Sequence, residues 1–305
     1  MLNTNEVRIE TNTECMYACV FCPHSTKFIR KQEQMSIDTF KFIIDKIKKE
    51  LPNITDITIS GFGEALHVSD WTILDKIRYA KDSGYKVHTL SNGYYLSYPK
   101  VDELIEIGVE DIRISLHSIE YESYRKITKA PLYQFNNVMW NIKYIIEETD
   151  MNLILTFDII PGINDNEIEQ IKNRYDKVAT IEIWKPHNWV DTYNFRKGEI
   201  IKNTCGRPWN SPYQIQVDGT VNMCCFDYNG KLLLGDFLNQ TMKEIFNDNV
   251  FLDLKKHHKN GTLEQTNYIC KNCDQRKDQT DIIIYNNKFK KNDRLNRTST
   301  NYAKI

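Results

Sequence analysis

Apolar positions along the chain alternate between two periods. Val7-Arg8-Ile9-Glu10 forms a short strand pattern. Ser36 then caps a helix in which Ile37, Phe40, Ile43, Ile44 and Ile47 recur at helical spacing, and Pro52 stops it. Residues 54–60 alternate apolar and polar side chains and run into Gly61-Phe62-Gly63. Trp71, Leu74, Ile77 and Tyr79 predict a second helix, ended by Gly84. Residues 85–90 are a third strand leading to Ser91-Asn92-Gly93, and residues 101–107 a third helix closed by Gly108. A fourth strand at 112–115 precedes helical patterns over 120–148, broken near Pro131. A fifth strand at 153–160, a helix from Asn164 or Asp165 to Tyr175, and a sixth strand at 180–184 complete the series.

Six alternations of strand and helix predict an α/β fold with a parallel sheet and crossover helices. Active sites of such sheets form at the C-terminal ends of the strands. Five of those ends carry small or polar residues, at 15–22, 61–64, 91–93, 115–118 and 184–189. Together they predict one cofactor pocket. After about residue 200 the pattern changes. Residues 213–217, Asp218-Gly219 and 221–225 predict a β-hairpin with an Asp-Gly turn, followed by a helical segment over 241–259. This portion has little apolar core of its own, so a metal centre is expected to staple it. Three regions follow: 1–200, 201–285, and a basic tail at 286–305 in which Lys288, Lys290, Lys291, Arg294, Arg297 and Lys304 face only Asp293. The tail is expected to be a flexible, solvated surface.

Charge narrows the function classes. Forty basic residues against 41 acidic ones give no general attraction to nucleic acid or to an acidic membrane. The first residues lack a signal-peptide pattern, and no apolar run approaches the ~18 residues of a membrane helix. A cytoplasmic location is expected. In such a reducing compartment, the eight cysteines, at 15, 19, 22, 205, 224, 225, 270 and 273, point to metal or iron–sulfur ligation rather than to disulfides.

Cys15, Cys19 and Cys22 place three thiols in one loop. Three thiolates can hold three irons of a [4Fe–4S] cube and leave the fourth open for a cofactor. Zinc is the competing occupant, with His24 as a possible fourth ligand. Cys205, Cys224, Cys270 and Cys273 form a four-thiolate set that suits either zinc or a second cube. One of Cys224 and Cys225 is spare, because adjacent strand residues point to opposite faces. The spare thiol is either a small buried hydrophobe or a hydrogen donor.

The first motif, with Phe21 just before its last cysteine, resembles the cluster loop of the radical S-adenosylmethionine (SAM) superfamily. Gly61-Phe62-Gly63-Glu64 is similar to that family's Gly-rich motif, with Ala65 in place of the usual proline. Ser91-Asn92-Gly93 is similar to its third-strand motif near the ribose. Ser115, with Arg125 downstream, matches positions that hold the ribose and the SAM carboxylate. The resemblance implies a partial (β/α)6 TIM-like barrel followed by a small β-hairpin/helix auxiliary domain. It also implies SAM as cofactor, two [4Fe–4S] clusters and an external donor such as flavodoxin or ferredoxin. Gly219 and Cys224, with four residues between them, followed by the late Cys270-Lys271-Asn272-Cys273, resemble the shortened SPASM region called a twitch domain. That pattern selects Cys224 as ligand and leaves Cys225 free.

The implied reaction starts from a 5′-deoxyadenosyl radical that abstracts hydrogen from substrate. An apolar-lined barrel is expected to shield it. The segment Trp184-Lys185-Pro186-His187-Asn188-Trp189 combines rings with polar groups that suit a hydroxylated ligand, or it packs between the domains. His117 is a further candidate. The leading expectation is oxidation of a secondary alcohol on a small carbohydrate- or cyclitol-like substrate, with Lys185, His187 or Arg196 as base and the auxiliary cluster taking an electron. An epimerase that uses Cys225 as hydrogen donor is the nearest alternative. Modification of a ribosomally made peptide is the next, weakened by a first strand that begins at residue 7.

Overall fold

The computed structural model describes residues 1–190, 192–196, 198–200, 202–277, 282–285 and 302–304. The strands and helices alternate in chain order: β1 (Glu6–Ile9), α1 (Ile37–Glu50), β2 (Asp56–Ile59), α2 (Ile73–Asp82), β3 (Lys86–Ser91), α3 (Tyr98–Ile107), β4 (Asp111–Ser115), α4 (Tyr121–Thr128), α5 (Leu132–Glu148), β5 (Leu153–Asp158), α6 (Ile168–Tyr175) and β6 (Thr180–Trp184). Neighbouring strands from β1 to β6 pair in parallel and in sequence order. This is the expected partial barrel. Ser36 caps α1 through its hydroxyl, as its position predicts. Trp71 departs from expectation: α2 starts two residues later, and the Trp71 side chain is exposed.

The second part contributes α7 (Arg207–Asn210), β7 (Tyr213–Ile215), β8 (Thr220–Asn222), β9 (Leu233–Asp236), α8 (Met242–Ile245), α9 (Asn249–Asn260), β10 (Ile282–Tyr285) and β11 (Tyr302–Lys304). The helical stretch expected over 241–259 is two helices, because Asp248 caps a new one through the Val250 amide. The sheet crosses the expected boundary at 200. β7 adds in parallel to β1, and β10 returns antiparallel to β6, giving the order β11-β10-β6-β5-β4-β3-β2-β1-β7-β8-β9. The basic tail otherwise lies outside the described residues.

Strand alternation divides the sheet into an apolar and a polar face. Val7, Ile9, Ile57, Val87, Ile112, Leu155 and Ile181 are buried in one core with Phe40, Ile43, Ile77, Leu104 and Ile142 of the helices. The inner face is not apolar, contrary to expectation. Arg8 Nε donates to Glu6 at 2.9 Å, Thr58 Oγ1 donates to Glu6 at 2.7 Å, and Arg113 pairs with Glu182. His88 bridges Asp111 and Asp56 at 2.6 and 2.9 Å. The reason is visible in the strand sequences, which place charged residues at every second position. The paired charges satisfy one another, which makes their burial tolerable. Among the described residues, no helix is long and apolar enough to cross a membrane.

Candidate active site

The loop that follows β1 carries Cys15, Cys19 and Cys22. It is tied to α4 by Ala18 N–H to Thr128 O (3.1 Å) and Val20 N–H to Ile127 O (2.9 Å), and folds back through Cys22 N–H to Cys19 O (3.0 Å). Phe21 packs with Ile127 and Ile160, and its ring lies edge-on to His117 at 4.9 Å. Burial pushes the Cys15 thiol up to about 11 and Cys22 up to about 12, and raises Cys19 well above the ordinary thiol range; at Cys19 and Cys22 neighbouring thiols add to the rise. Three adjacent thiolates in such a place need bound cations, and an iron cluster supplies them. His24 is directed elsewhere: its Nε2 lies 2.7 Å from Thr13 O. His117 is buried with a left-handed backbone (φ 62°), and burial holds its imidazole down at about 3, so it is neutral.

The glycine motif is pressed against the start of this loop. A Cβ on Gly63 would lie 2.6 Å from Asn12 O and 2.7 Å from Glu14 O, and one on Gly61 would lie 2.3 Å from Glu10 Cγ. Glycine is therefore required by close approach. Phe62 N–H donates to Glu10 Oε1 at 2.9 Å, and Glu64 N–H donates to Glu14 O at 2.7 Å. The buried Glu64 carboxylate accepts from Ser91 Oγ (2.7 Å), Asn92 N–H (2.6 Å) and Leu66 N–H (3.0 Å). The second- and third-strand motifs are thus one hydrogen-bonded unit. Asn92 Nδ2 is buried beside it without a partner, a donor suited to an oxygen-rich cofactor such as SAM. Ser115 sits opposite Thr156 of β5, whose hydroxyl is likewise unpartnered.

Arg125 does not join this group. It lies on the outer face of α4, where Tyr124, Ile127 and Thr128 face inward, and it pairs with Glu122 at 3.0 Å in solvent. Helical phase thus places Arg125 on the solvent side of α4, apart from the residues of the glycine and third-strand motifs.

The remaining cysteines meet across a long sequence separation. Cys205, Cys224, Cys270 and Cys273 line one cavity with Val190, Arg207, Pro208, Met223, His258, Ile269 and Arg276. All four thiols are pushed up: burial is the first cause at Cys205, Cys270 and Cys273, while at Cys224 a hydrogen bond with Cys225 comes first and burial second. Among the described residues, no three such donors converge on a position for a single metal ion. The fit to a cluster rests on the donor chemistry, four thiols around one cavity.

Cys225 lines a different cavity, with Arg8, Glu10, Ser60, Gly61, Phe62, Leu90, Gln214, Asn222 and Tyr228. This second cavity lies between the polar inner face of the barrel, the glycine motif and the β7–β8 hairpin. Trp189 lines it as well, while its neighbour Val190 lines the cysteine cavity. Both residues adopt positive φ, 48° and 55°. Two adjacent pairs, Cys224/Cys225 and Trp189/Val190, thus each give one residue to each cavity, so the cavities are neighbours. Within the second cavity Asn222 Oδ1 is a buried acceptor and Trp189 Nε1 a buried donor, both unpartnered. Arg8 is paired with Glu6, and Arg30 with Glu10.

The other expected pocket residues are distributed differently. Lys185 is exposed. Arg196 is 2% exposed, donates to Pro186 O (3.0 Å) and Lys185 O (2.7 Å), and lies 3.4 Å from Asp274, so it clamps the linker. His187 packs on Phe226 at 4.3 Å between centroids and lies 3.2 Å from Gln275 Nε2. Burial, helped by Arg196 and Arg207, holds its pKa well below the ordinary range. Glu10, Arg8 and Asn222 were not expected here. Glu10 accepts from Phe62 and Val217 amides, joining the glycine motif to the hairpin. The one available signal was the polar register of the first strand.

Comparison with known proteins follows the same division. A model of the radical SAM superfamily matches residues 9–174, and a model of an iron–sulfur cluster-binding domain, SPASM, matches residues 205–274. An uncharacterised protein of Methanocaldococcus jannaschii is 29% identical over 179 residues, covering 57% of this chain and 56% of that protein. A probable GTP 3′,8-cyclase of Pyrobaculum aerophilum is 27% identical, covering 58% and 54%. The match thus spans about half the length of these relatives. Among solved structures, BtrN in complex with AdoMet and 2-DOIA superposes with a TM-score of 0.62 at 16% identity, covering 90% of this chain and 94% of that one. Streptococcus suis SuiB bound to precursor peptide SuiA gives 0.63 at 12% identity, covering 83% and 66%. At these identities the likeness is one of fold.

Proposed function

The chain belongs to the radical SAM superfamily, and on that footing we propose that it oxidises a secondary alcohol of a small carbohydrate- or cyclitol-like substrate held in the Cys225-lined cavity. SAM and iron–sulfur clusters are its cofactors. When bound, they supply a 5′-deoxyadenosyl radical that takes the carbinol hydrogen atom and an auxiliary cluster that takes the second electron, while the hydroxyl proton leaves to a base. Cys15, Cys19 and Cys22 are the proposed ligands of the first cluster, and Cys205, Cys224, Cys270 and Cys273 those of the auxiliary one. Asn92, Ser115 and the glycine motif are the proposed SAM contacts.

The observation that carries this proposal is that two pairs of adjacent residues, Trp189/Val190 and Cys224/Cys225, are each divided between the two cavities. A substrate on the Cys225 side lies next to the cavity lined by the four thiols. Substrate class is supported by the unpartnered Asn222 acceptor and Trp189 donor. Satisfying both requires a ligand that donates and accepts, as a hydroxyl does. With Arg8 and Arg30 already paired, an anion is less favoured. Polar groups left unpaired here would also penalise ligands lacking hydroxyls.

Cys225 itself favours a second reading. Its thiol lines the proposed substrate cavity, where it can return a hydrogen atom to a substrate radical with inverted configuration. The two reactions differ in product mass. Anaerobically reconstituted protein, incubated with SAM, reductant and a panel of cyclitols and aminocyclitols, is analysed by mass spectrometry. Oxidation gives a product two hydrogens lighter for each 5′-deoxyadenosine formed, whereas epimerisation leaves the mass unchanged. No turnover with any polyol, together with turnover of a peptide, would overturn both.

A further inference from the structure

Arg207 is a half-buried cation beside the four thiols. Arg207 follows Cys205 by two residues, at the start of α7, after Gly206 turns the chain with φ 81°. Its side chain lines the cavity of the four proposed ligands. Nη1 donates to Cys225 Sγ at 3.9 Å, and the guanidinium carbon lies 4.8 Å from the Phe226 ring centroid. Among the described residues, no carboxylate lies within ion-pair distance of it. Arg276, the other guanidinium of this cavity, is different: it pairs with Glu264 at 2.8 Å and donates to Lys202 O and Lys271 O. A guanidinium stays protonated in proteins, so Arg207 carries a fixed positive charge here.

We propose that Arg207 is a positioning residue for electron transfer, whose fixed charge raises the reduction potential of the auxiliary cluster and orients Cys225 between the two cavities. Reduction adds a negative charge to a thiolate-ligated cluster. A cation held nearby, partly shielded from water, stabilises the reduced state more than the oxidised one. The cluster thereby becomes a better acceptor for an electron leaving a substrate in the neighbouring cavity. Arg276 contributes less to this field because Glu264 offsets its charge. The proposal rests on the assignment of the four auxiliary ligands, but not on the identity of the substrate.

The test is a potentiometric titration monitored by electron paramagnetic resonance. It uses the 305-residue chain with Cys15, Cys19 and Cys22 all changed to Ala, so that only the auxiliary cluster is observed. Arg207→Gln in this background is expected to shift the midpoint to lower potential with auxiliary iron retained, and Arg207→Lys to restore most of the shift. Equal midpoints for Arg207 and Arg207→Gln at full iron content overturn the proposal alone. Loss of iron from both Arg207 variants makes the residue a structural prop and also overturns it. No iron in the background chain itself overturns the ligand assignment, and the proposal with it.

Discussion

Cys224 and Cys225 are adjacent in the chain but face different cavities, one shared with Cys205, Cys270 and Cys273 and the other with Arg8, Phe62 and Asn222. β8 ends at Asn222, so the two cysteines lie beyond the strand, where each lines one of the two cavities. This divergence makes the two thiols separable by experiment. Cys224→Ala is expected to lose the auxiliary iron, while Cys225→Ala keeps it. Iron and sulfide analysis of both variants checks this. If oxidation is the reaction, Cys225→Ala keeps turnover within a few-fold; if epimerisation is, turnover is abolished.

Gly63→Ala is expected to disable the first cluster. The added Cβ would strike the backbone of residues 12–14 at 2.6–2.7 Å, and that backbone leads directly into Cys15. Overpacking of this kind costs about 1–3 kcal/mol. The rate of 5′-deoxyadenosine formation should fall by at least about tenfold, with auxiliary iron unchanged. A variant with wild-type SAM cleavage would show that the close approach is relieved without moving the loop.

Much of this arrangement was legible in the sequence. The parallel barrel followed from six alternations of local pattern, and the first cysteine loop from spacing over eight residues. Long-range pairings were not legible, because no local pattern encodes them. These include β7 joining β1 and β10 returning to β6. The position of Arg125 in solvent was not anticipated because a motif position was carried over without its helical phase, although Tyr124, Ile127 and Thr128 mark the buried face. The polar inner face was readable from Glu6, Arg8 and Glu10 at alternate positions of the first strand. Their partners, Thr58, Arg30 and Val217, come from distant segments that only the fold brings together.

Arg125→Ala tests the first of those differences. With its side chain in solvent beside Glu122, removal should leave SAM cleavage within about twofold, since surface pairs contribute little. A large rise in the SAM concentration needed for half-maximal cleavage would return Arg125 to the cofactor site.

Trp189→Phe removes the unpartnered indole N–H while keeping a ring against Phe62, which lies 5.4 Å away between centroids. A lost hydrogen bond of about 0.5–1.5 kcal/mol predicts a KM for the hydroxylated substrate raised roughly 2- to 13-fold. SAM cleavage without substrate should not change. A fall in kcat with unaltered KM would place Trp189 between the cavities rather than in substrate contact.

Lys76 and Asp70 provide a stability test away from the chemistry. Lys76 Nζ donates to Asp70 Oδ2 at 2.6 Å, with both side chains buried beneath the loop that follows the glycine motif. Lys76→Met leaves the Asp70 charge buried, hydrogen-bonded to Thr72 but without its ion-pair partner, and should destabilise the chain by about 3–5 kcal/mol in denaturant unfolding. A loss below about 1 kcal/mol would mean that Asp70 finds another partner.

The most direct measurement is iron content together with SAM cleavage in three anaerobically reconstituted forms: the native chain, a chain with Cys15, Cys19 and Cys22 changed to Ala, and one with Cys205, Cys224, Cys270 and Cys273 changed to Ala. The expected result is about eight irons in the first and about four in each of the others. 5′-Deoxyadenosine should form only where Cys15, Cys19 and Cys22 remain. Bound zinc in place of iron, or SAM cleavage that persists without those three thiols, would contradict it.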